Sequence, residues 1–252
     1  MTLRVVQISD LHLFADPDGE LKGLKPQAGV TAVLGTIQQR LPVIDQLIST
    51  GDHTHDELPA TYQRLRGMLQ PWLKTFHLLP GNHDERPVIR EVFGEFCPAG
   101  TERIRFSFEA GGWLFLGLDS HVPGELYGEV GEEQWKWLEA ELSRDATKPT
   151  AIFLHHPPLP IGSPWMDKIG LRDAEELTEI LLRYRQVKFV SHGHIHQEFN
   201  GTCEGVPVMS CPSSAIQFRP RTEELEVDTL GPGFRVFELE TDGAWRTEVI
   251  RV

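Results

Sequence analysis

The chain has 252 residues, 40 % of them apolar, and no apolar run near the roughly eighteen residues of a bilayer span, so it is expected to fold as a single α/β unit over 1–252, away from membranes. A formal charge of −13 excludes the clustered-cation chemistry by which proteins hold nucleic-acid polymers. Three cysteines (Cys97, Cys203, Cys211) give no disulfide framework, and an N-terminus that enters a strand pattern without a secretory signal points to a cytoplasmic protein.

In chain order, residues 3–9 alternate as a strand and deliver Asp10-Leu11-His12 at its mouth, and 14–25 read as a surface loop. Apolar residues at helical spacing (Val30, Val33, Leu34, Ile37, Leu41) predict a helix from Pro26 to about Leu41. The run 43–48 predicts a buried strand ending at Gly51-Asp52, and a helix over 57–70 leads to a strand at 76–79 that enters Gly81-Asn82-His83-Asp84. This β–α–β–α–β order implies a parallel sheet with its loops at one edge. Segments 103–109 and 113–119 flank Gly111-Gly112 as a hairpin, and 131–144 form an amphipathic helix whose Trp135 belongs to the core rather than to a base-stacking platform. A strand over 151–154 ends at His155-His156-Pro157. Asp173 with Glu176 forms a capping-box pattern opening a helix to about Tyr184, and 187–191 lead into Gly193-His194-Ile195-His196. Segments 206–211, 233–239 and 245–251 read as antiparallel strands.

An aspartate just past a strand end, preceded by glycine, sits in a crevice, and the two oxygens of Asp52 can hold two hard cations at once. Alternate residues of an extended segment share a side, so Asp10 and His12 are expected to converge, as are His194 and His196. Asn82 adds a neutral oxygen. Imidazole nitrogens with carboxylate and amide oxygens, and no thiolate, suit manganese, iron, zinc or cobalt rather than calcium or structural zinc. Two such ions would offset the acidic chain locally. With about +4 from the ions, −2 from Asp10 and Asp52 and −1 from a hydroxide between them, the site keeps roughly +1, which suits one phosphodiester. Singly each motif is weak; together, each after an apolar strand run, they form a coherent ligand set.

The series Asp-x-His, Gly-Asp, Gly-Asn-His, His-His-Pro and Gly-His-x-His resembles the calcineurin-like metallophosphoesterase superfamily. The resemblance implies a four-layer α/β/β/α sandwich of two mixed sheets flanked by helices. It implies one ion on Asp10, His12, Asp52 and His196 and a second on Asp52, Asn82, His155 and His194. His155 is preferred to His156 because the family ligand lies two residues before the proline. The likeness extends to the bacterial class III 3′,5′-cyclic-AMP phosphodiesterases through residues 7–14, Pro164-Trp165-Met166-Asp167, Leu171-Arg172-Asp173, Gly193–Glu198, Pro212-Ser213-Ser214 with Gln217-Phe218, and Asp228-Thr229 with Pro232-Gly233. Where the phosphatases of the superfamily carry an acid three residues after the Gly-Asp aspartate, this chain has His55 followed by Asp56, which leaves open whether His83 has a carboxylate partner.

The function so implied is hydrolysis of a small cyclic nucleotide, 3′,5′-cyclic AMP to 5′-AMP, by a hydroxide held between two ions, iron or manganese first and zinc or cobalt as alternatives. Asp52 and His83 are the catalytic candidates, His83 as the acid that protonates the leaving oxygen. His12, Asp52, Asn82, His83 and His196 are the candidate phosphate contacts. His53 and His55 are either pocket-lining or solvated, and Arg172 reaches either substrate phosphate or a surface acid. Two alternatives stand beside this reading: a phosphoesterase of other small diesters or nucleotides, and a non-catalytic scaffold of the same fold. A serine hydrolase is disfavoured, for Gly-x-Ser-x-Gly is absent.

Overall fold

The computed structural model describes residues 2–41 and 43–252; Met1, at the head of the opening segment, lies outside them. β1 (Leu3–Ile8) alternates its faces. Val6 and Ile8 meet α1 (Pro26–Arg40), whereas Leu3 and Val5 point into the space between two sheets. β2 (Gln46–Ser49), α2 (Pro59–Met68), β3 (Phe76–Leu78) and α3 (Arg86–Phe93) follow. Prolines stand in the first turns of α1, α2 and α3, where a missing N–H costs nothing.

β4 (Phe106–Ala110) and β5 (Trp113–Gly117) form the expected hairpin, shorter than 103–119. Gly111 (φ 56°) and Gly112 (φ 85°) supply the two left-handed residues of its tight turn. α4 (Glu132–Ser143), β6 (Thr150–Phe153), the single turn α5 (Pro164–Asp167), α6 (Ala174–Arg183), β7 (Val187–His192), β8 (Asn200–Cys203), β9 (Val206–Ser210), β10 (Gly233–Leu239) and β11 (Trp245–Arg251) complete the described α-helices and strands.

One sheet runs β11-β10-β1-β2-β3 and the other β4-β5-β6-β7-β9-β8, each mixing parallel and antiparallel pairs. Leu65, Ile89 and Phe93 join α1 in covering the outer face of the first sheet. Trp135, Leu138, Leu177 and Ile180 of α4 and α6 cover that of the second. Phe115, Phe153, Phe189 and Phe237 fill the seam between the sheets. The order of layers is therefore helix, sheet, sheet, helix, with apolar side chains excluded from water at all three junctions. Among the described residues no helix is long and apolar enough to cross a membrane.

The structure corrects four local expectations. β2 starts at Gln46 rather than 43, because Asp45 turns its carboxylate to the Arg4 N–H (2.7 Å) and Val43 is exposed. β9 is parallel to β7, not antiparallel to its tail neighbours. The capping box at Asp173 does not form. Its carboxylate instead accepts from Val130 N, Gly131 N and Trp135 Nε1 (2.7–3.1 Å), pinning α4 to α6. α3, the single turn α5 and the edge strand β8 are additional to the expected elements.

Candidate metal centre

All seven candidate ligands lie on loops leaving the carboxyl ends of parallel strands: Asp10 and His12 after β1, Asp52 after β2, Asn82 after β3, His155 after β6, His194 and His196 after β7. Their convergence has a different cause from the expected one. Asp10 (φ 54°), His12 (44°), Asp52 (52°), His194 (69°) and His196 (50°) are left-handed rather than extended. Five side chains held in that disfavoured region at one place is the kind of strain that surrounding structure must hold. It is held here by backbone bonds between the loops. The N–H groups of Leu11 and His12 both donate to Asp52 O (2.8 and 2.9 Å), and that of His194 donates to the Asp10 carboxylate (3.0 Å). Glycine makes the approach possible. A Cβ on Gly81 would strike Asp52 Oδ1, and one on Gly193 would strike Ser9 Oγ.

Asp52 divides the centre. Its Oδ2 lies 3.5 Å from His12 Nε2, and its Oδ1 lies 3.5 Å from His155 Nε2 while accepting the His83 N–H at 2.8 Å. On the first side, His12 Nε2 faces His196 Nε2 at 2.9 Å, and that nitrogen lies 3.4 Å from Asp10 Oδ1. On the second, His155 Nε2 is 3.3 Å from both Asn82 Oδ1 and His194 Nδ1. His155 Nδ1–H donates to Thr50 O (2.6 Å) and His196 Nδ1–H to Ile216 O (2.7 Å), so each ring turns its Nε2 lone pair inward. Lone pairs that face one another at 2.9–3.3 Å repel unless a cation or a proton lies between them. Donor atoms 2.9–3.5 Å apart are the edges expected around an ion with bonds of roughly 2.1 Å. The residues present therefore fit two ions sharing Asp52.

The electrostatics agree. Burial keeps His12 and His194 well below the ordinary imidazole range, with neighbouring histidines adding to the effect, so both offer neutral nitrogens. Burial opposes charge on His155 as well, but the Asp52 carboxylate overrides it and raises that ring to about 9. Burial likewise works against the Asp52 charge, and His155 and His12 outweigh it to hold the carboxylate well below its ordinary value. A positive charge is thus favoured where the second ion would sit.

His156 also lies by His155 and His194, but both of its nitrogens are engaged, Nε2–H with Leu126 O (3.2 Å) and Nδ1 with the Ser120 hydroxyl (2.8 Å). These bonds turn both ring nitrogens away from a metal-ligand role. His83, half-buried, packs edge-on against His12 (5.0 Å between centroids) and beside His55 (4.9 Å). Among the described residues no carboxylate hydrogen-bonds its imidazole, which settles the question left open by the sequence. His55 lines the cavity above the centre, together with His12, Asp52, Asn82, His83, His194 and His196. His53 is drawn away from it to Asp84. Arg172 stacks on Tyr127 (3.1 Å) and does not line the cavity.

Sequence reasoning missed Asp84. This buried carboxylate accepts from Gly81 N (2.9 Å), His53 N (3.1 Å), His53 Nδ1 (2.9 Å) and Tyr62 OH (2.8 Å), fastening the Asn82 loop to the Asp52 loop and to α2. An acidic residue directly after Gly-Asn-His was the available signal.

Residues 3–198 match the family described as calcineurin-like phosphoesterase. The chain is 37 % identical over 250 residues to the 3′,5′-cyclic adenosine monophosphate phosphodiesterase CpdA of Haemophilus influenzae, covering 99 % of this chain and 90 % of that one. To the Vibrio vulnificus protein of the same name it is 35 % identical, covering 100 % and 90 %. A dimetal phosphatase from Danio rerio shares the fold with a TM-score of 0.68 at 16 % identity, covering 99 % of this chain and 98 % of that one.

Proposed function

The chain belongs to the calcineurin-like phosphoesterase family, and we propose that it is a metal-dependent phosphoric diester hydrolase converting 3′,5′-cyclic AMP to 5′-AMP. The observation that carries this reading is the split carboxylate of Asp52, each oxygen turned to a separate cluster of nitrogen and oxygen donors. Asp10, His12, Asp52 and His196 would hold one ion and Asp52, Asn82, His155 and His194 the other. Iron or manganese suits this donor set, with zinc or cobalt as alternatives. When bound, the pair supplies an activated water, orients the diester and neutralises charge on its oxygens.

The chain's own groups do the rest. His12, Asp52, Asn82 and His196 line the floor of the cavity, where a phosphate would rest. His83 stands at the same floor, and among the described residues no hydrogen bond ties its ring, so it can give a proton to the departing 3′ oxygen. Packing against His12 and His55, rather than an ion pair, sets the angle of that ring. The substrate so read is a small cyclic nucleotide, the chain working as one unit over 1–252 in the cytoplasm, on neither nucleic-acid polymer nor membrane.

Metal-replete protein should turn cyclic AMP into 5′-AMP, and chelation should abolish the reaction. Asp52→Asn should lower turnover by about 10³-fold, the several kcal/mol that a metal centre contributes. No turnover of cyclic AMP, with active hydrolysis of 2′,3′-cyclic AMP or an aryl diester, would transfer the assignment to other small diesters.

A further inference from the structure

The cavity over the candidate centre has two chemically distinct walls. Its floor is the histidine and carboxylate cluster. Its other side is apolar, formed by Leu126, Trp165, Met166, Ile169, Phe218 and Leu225, and Leu21 with Lys22 completes the lining. From this wall we propose that these six side chains form the nucleobase subsite, gripping a purine ring by stacking and apolar contact rather than by hydrogen bonds to its edge. This rests on the cyclic-nucleotide reading above and specifies where the base of that substrate goes.

The wall is fixed in advance of any ligand. Met166 is buried beside Ile161 and Ile195, and Trp165, Ile169 and Phe218 pack on that cluster while remaining partly open. Phe218 stacks on His196, 4.1 Å between centroids and 5° between planes, so the wall is continuous with a candidate ligand. Its N–H donates to His196 O at 3.0 Å. Trp165 meets Phe218 edge to face at 5.6 Å and gives its indole N–H to Thr222 Oγ1 at 3.3 Å. The one polar atom that the wall's side chains possess is therefore already used. Leu126 and Leu225 stand 53 % and 38 % exposed at the mouth, so their apolar surface is open to a ligand.

A base on a sugar cyclised through its phosphate would lie within one ribose of the floor, and the apolar side is the surface within that reach. Stacking on aromatic side chains is ordinarily worth on the order of 10- to 100-fold in affinity and accepts any ring with a π-face. Recognition by area predicts that purine cyclic nucleotides are held more tightly than pyrimidine ones. It also predicts that cyclic AMP and cyclic GMP lose affinity together when the wall is cut back.

The test is steady-state kinetics of the metal-loaded full chain on cyclic AMP and on the cyclic phosphate of 1-deoxyribose, which is the same diester without its base. Trp165→Ala should raise KM for cyclic AMP about 10-fold or more, with a much smaller change in kcat, and should leave the KM of the base-free diester nearly fixed. Leu225→Ser, at an exposed position where folding is not at stake, should move the same ratio by about 3-fold. If wild-type protein turns over cyclic AMP but neither variant shifts the ratio of the two KM values, the subsite is refuted while the proposed reaction stands. If wild-type protein does not turn over cyclic AMP at all, both fall.

Discussion

Replacing Asp84 by alanine tests how the candidate centre is built. The substitution strands four donors: the N–H of Gly81, the N–H and Nδ1–H of His53, and the hydroxyl of Tyr62. Burial alone would raise the Asp84 pKa, but His53 and Gly81 outweigh it and hold the carboxylate below its ordinary value, so charge-assisted bonds are lost. Each buried donor left without a partner costs about 1–3 kcal/mol, and water entering the space would satisfy some of them, leaving about 3–6 kcal/mol in all. For a chain of this length that is a fall in Tm of about 10–20 °C. Because Asp84 secures the loop carrying Asn82, the second ion should also be lost first, metal analysis falling from two ions per chain towards one. Asp84→Asn, which keeps one acceptor oxygen, should fall between the two. Thermal melts and metal stoichiometry on the same samples decide it. An alanine variant that melts within about 3 °C of the parent and still binds two ions would show that Asp84 is not the fastening described.

His83→Gln should lower turnover of cyclic AMP by about 10²–10⁴ while both ions are retained, since its backbone N–H to Asp52 survives; equal loss of ions and turnover would make the ring structural. Gly193→Ala should cost about 1–3 kcal/mol by overpacking, because the added carbon meets Ser9 and stands 2.9 Å from Asp10 Oδ2, and a melt indistinguishable from the parent would contradict that contact. His77 lies far from the centre, stacked on Phe108 at 3.6 Å, and burial lowers its pKa to about 4. Between its unfolded value near 6.5 and 4 the unfolded chain binds a proton that the folded chain refuses, so stability falls as pH drops through that window. His77→Gln should remove about 2 kcal/mol of that pH dependence, read as the difference between denaturation curves of variant and parent at pH 7 and pH 4.5.

The candidate ligand set was legible because residue type, glycine spacing and a preceding apolar strand run all survive in one dimension. The geometry that joins the ligands was not. Asp10, His12, His194 and His196 were read as neighbours on extended backbone, yet they converge through left-handed backbone. A single chain gives no sign of that, because aspartate and histidine enter the region only when remote contacts hold them. The helices α1, α4 and α6 carried strong periodicity and were found nearly to the residue. α3 also has its signal, with Val88, Ile89, Val92 and Phe93 on one side, but the ligand motif just before it drew the reading away. β8, Asn200–Cys203, lies at a sheet edge and has no apolar alternation to find. Asp84, the inward turn of His53 and the apolar wall at Trp165 and Phe218 depend on contacts between distant segments, so no local pattern announces them.

The candidate ligands come from both sides of the seam: Asp10, His12, Asp52 and Asn82 from the first sheet, His155, His194 and His196 from the second. An ion pair seated there would act as a rivet through two plates that otherwise adhere by the apolar seam and a few hydrogen bonds, such as those of Gln7 with Ser191 and His192. Loading at 100 times the dissociation constant would add about 2.7 kcal/mol per ion to folding, so metal supply would bear on how long the enzyme lasts as well as on how fast it works. Starved of metal, the chain would forgo that added resistance to unfolding along with its chemistry.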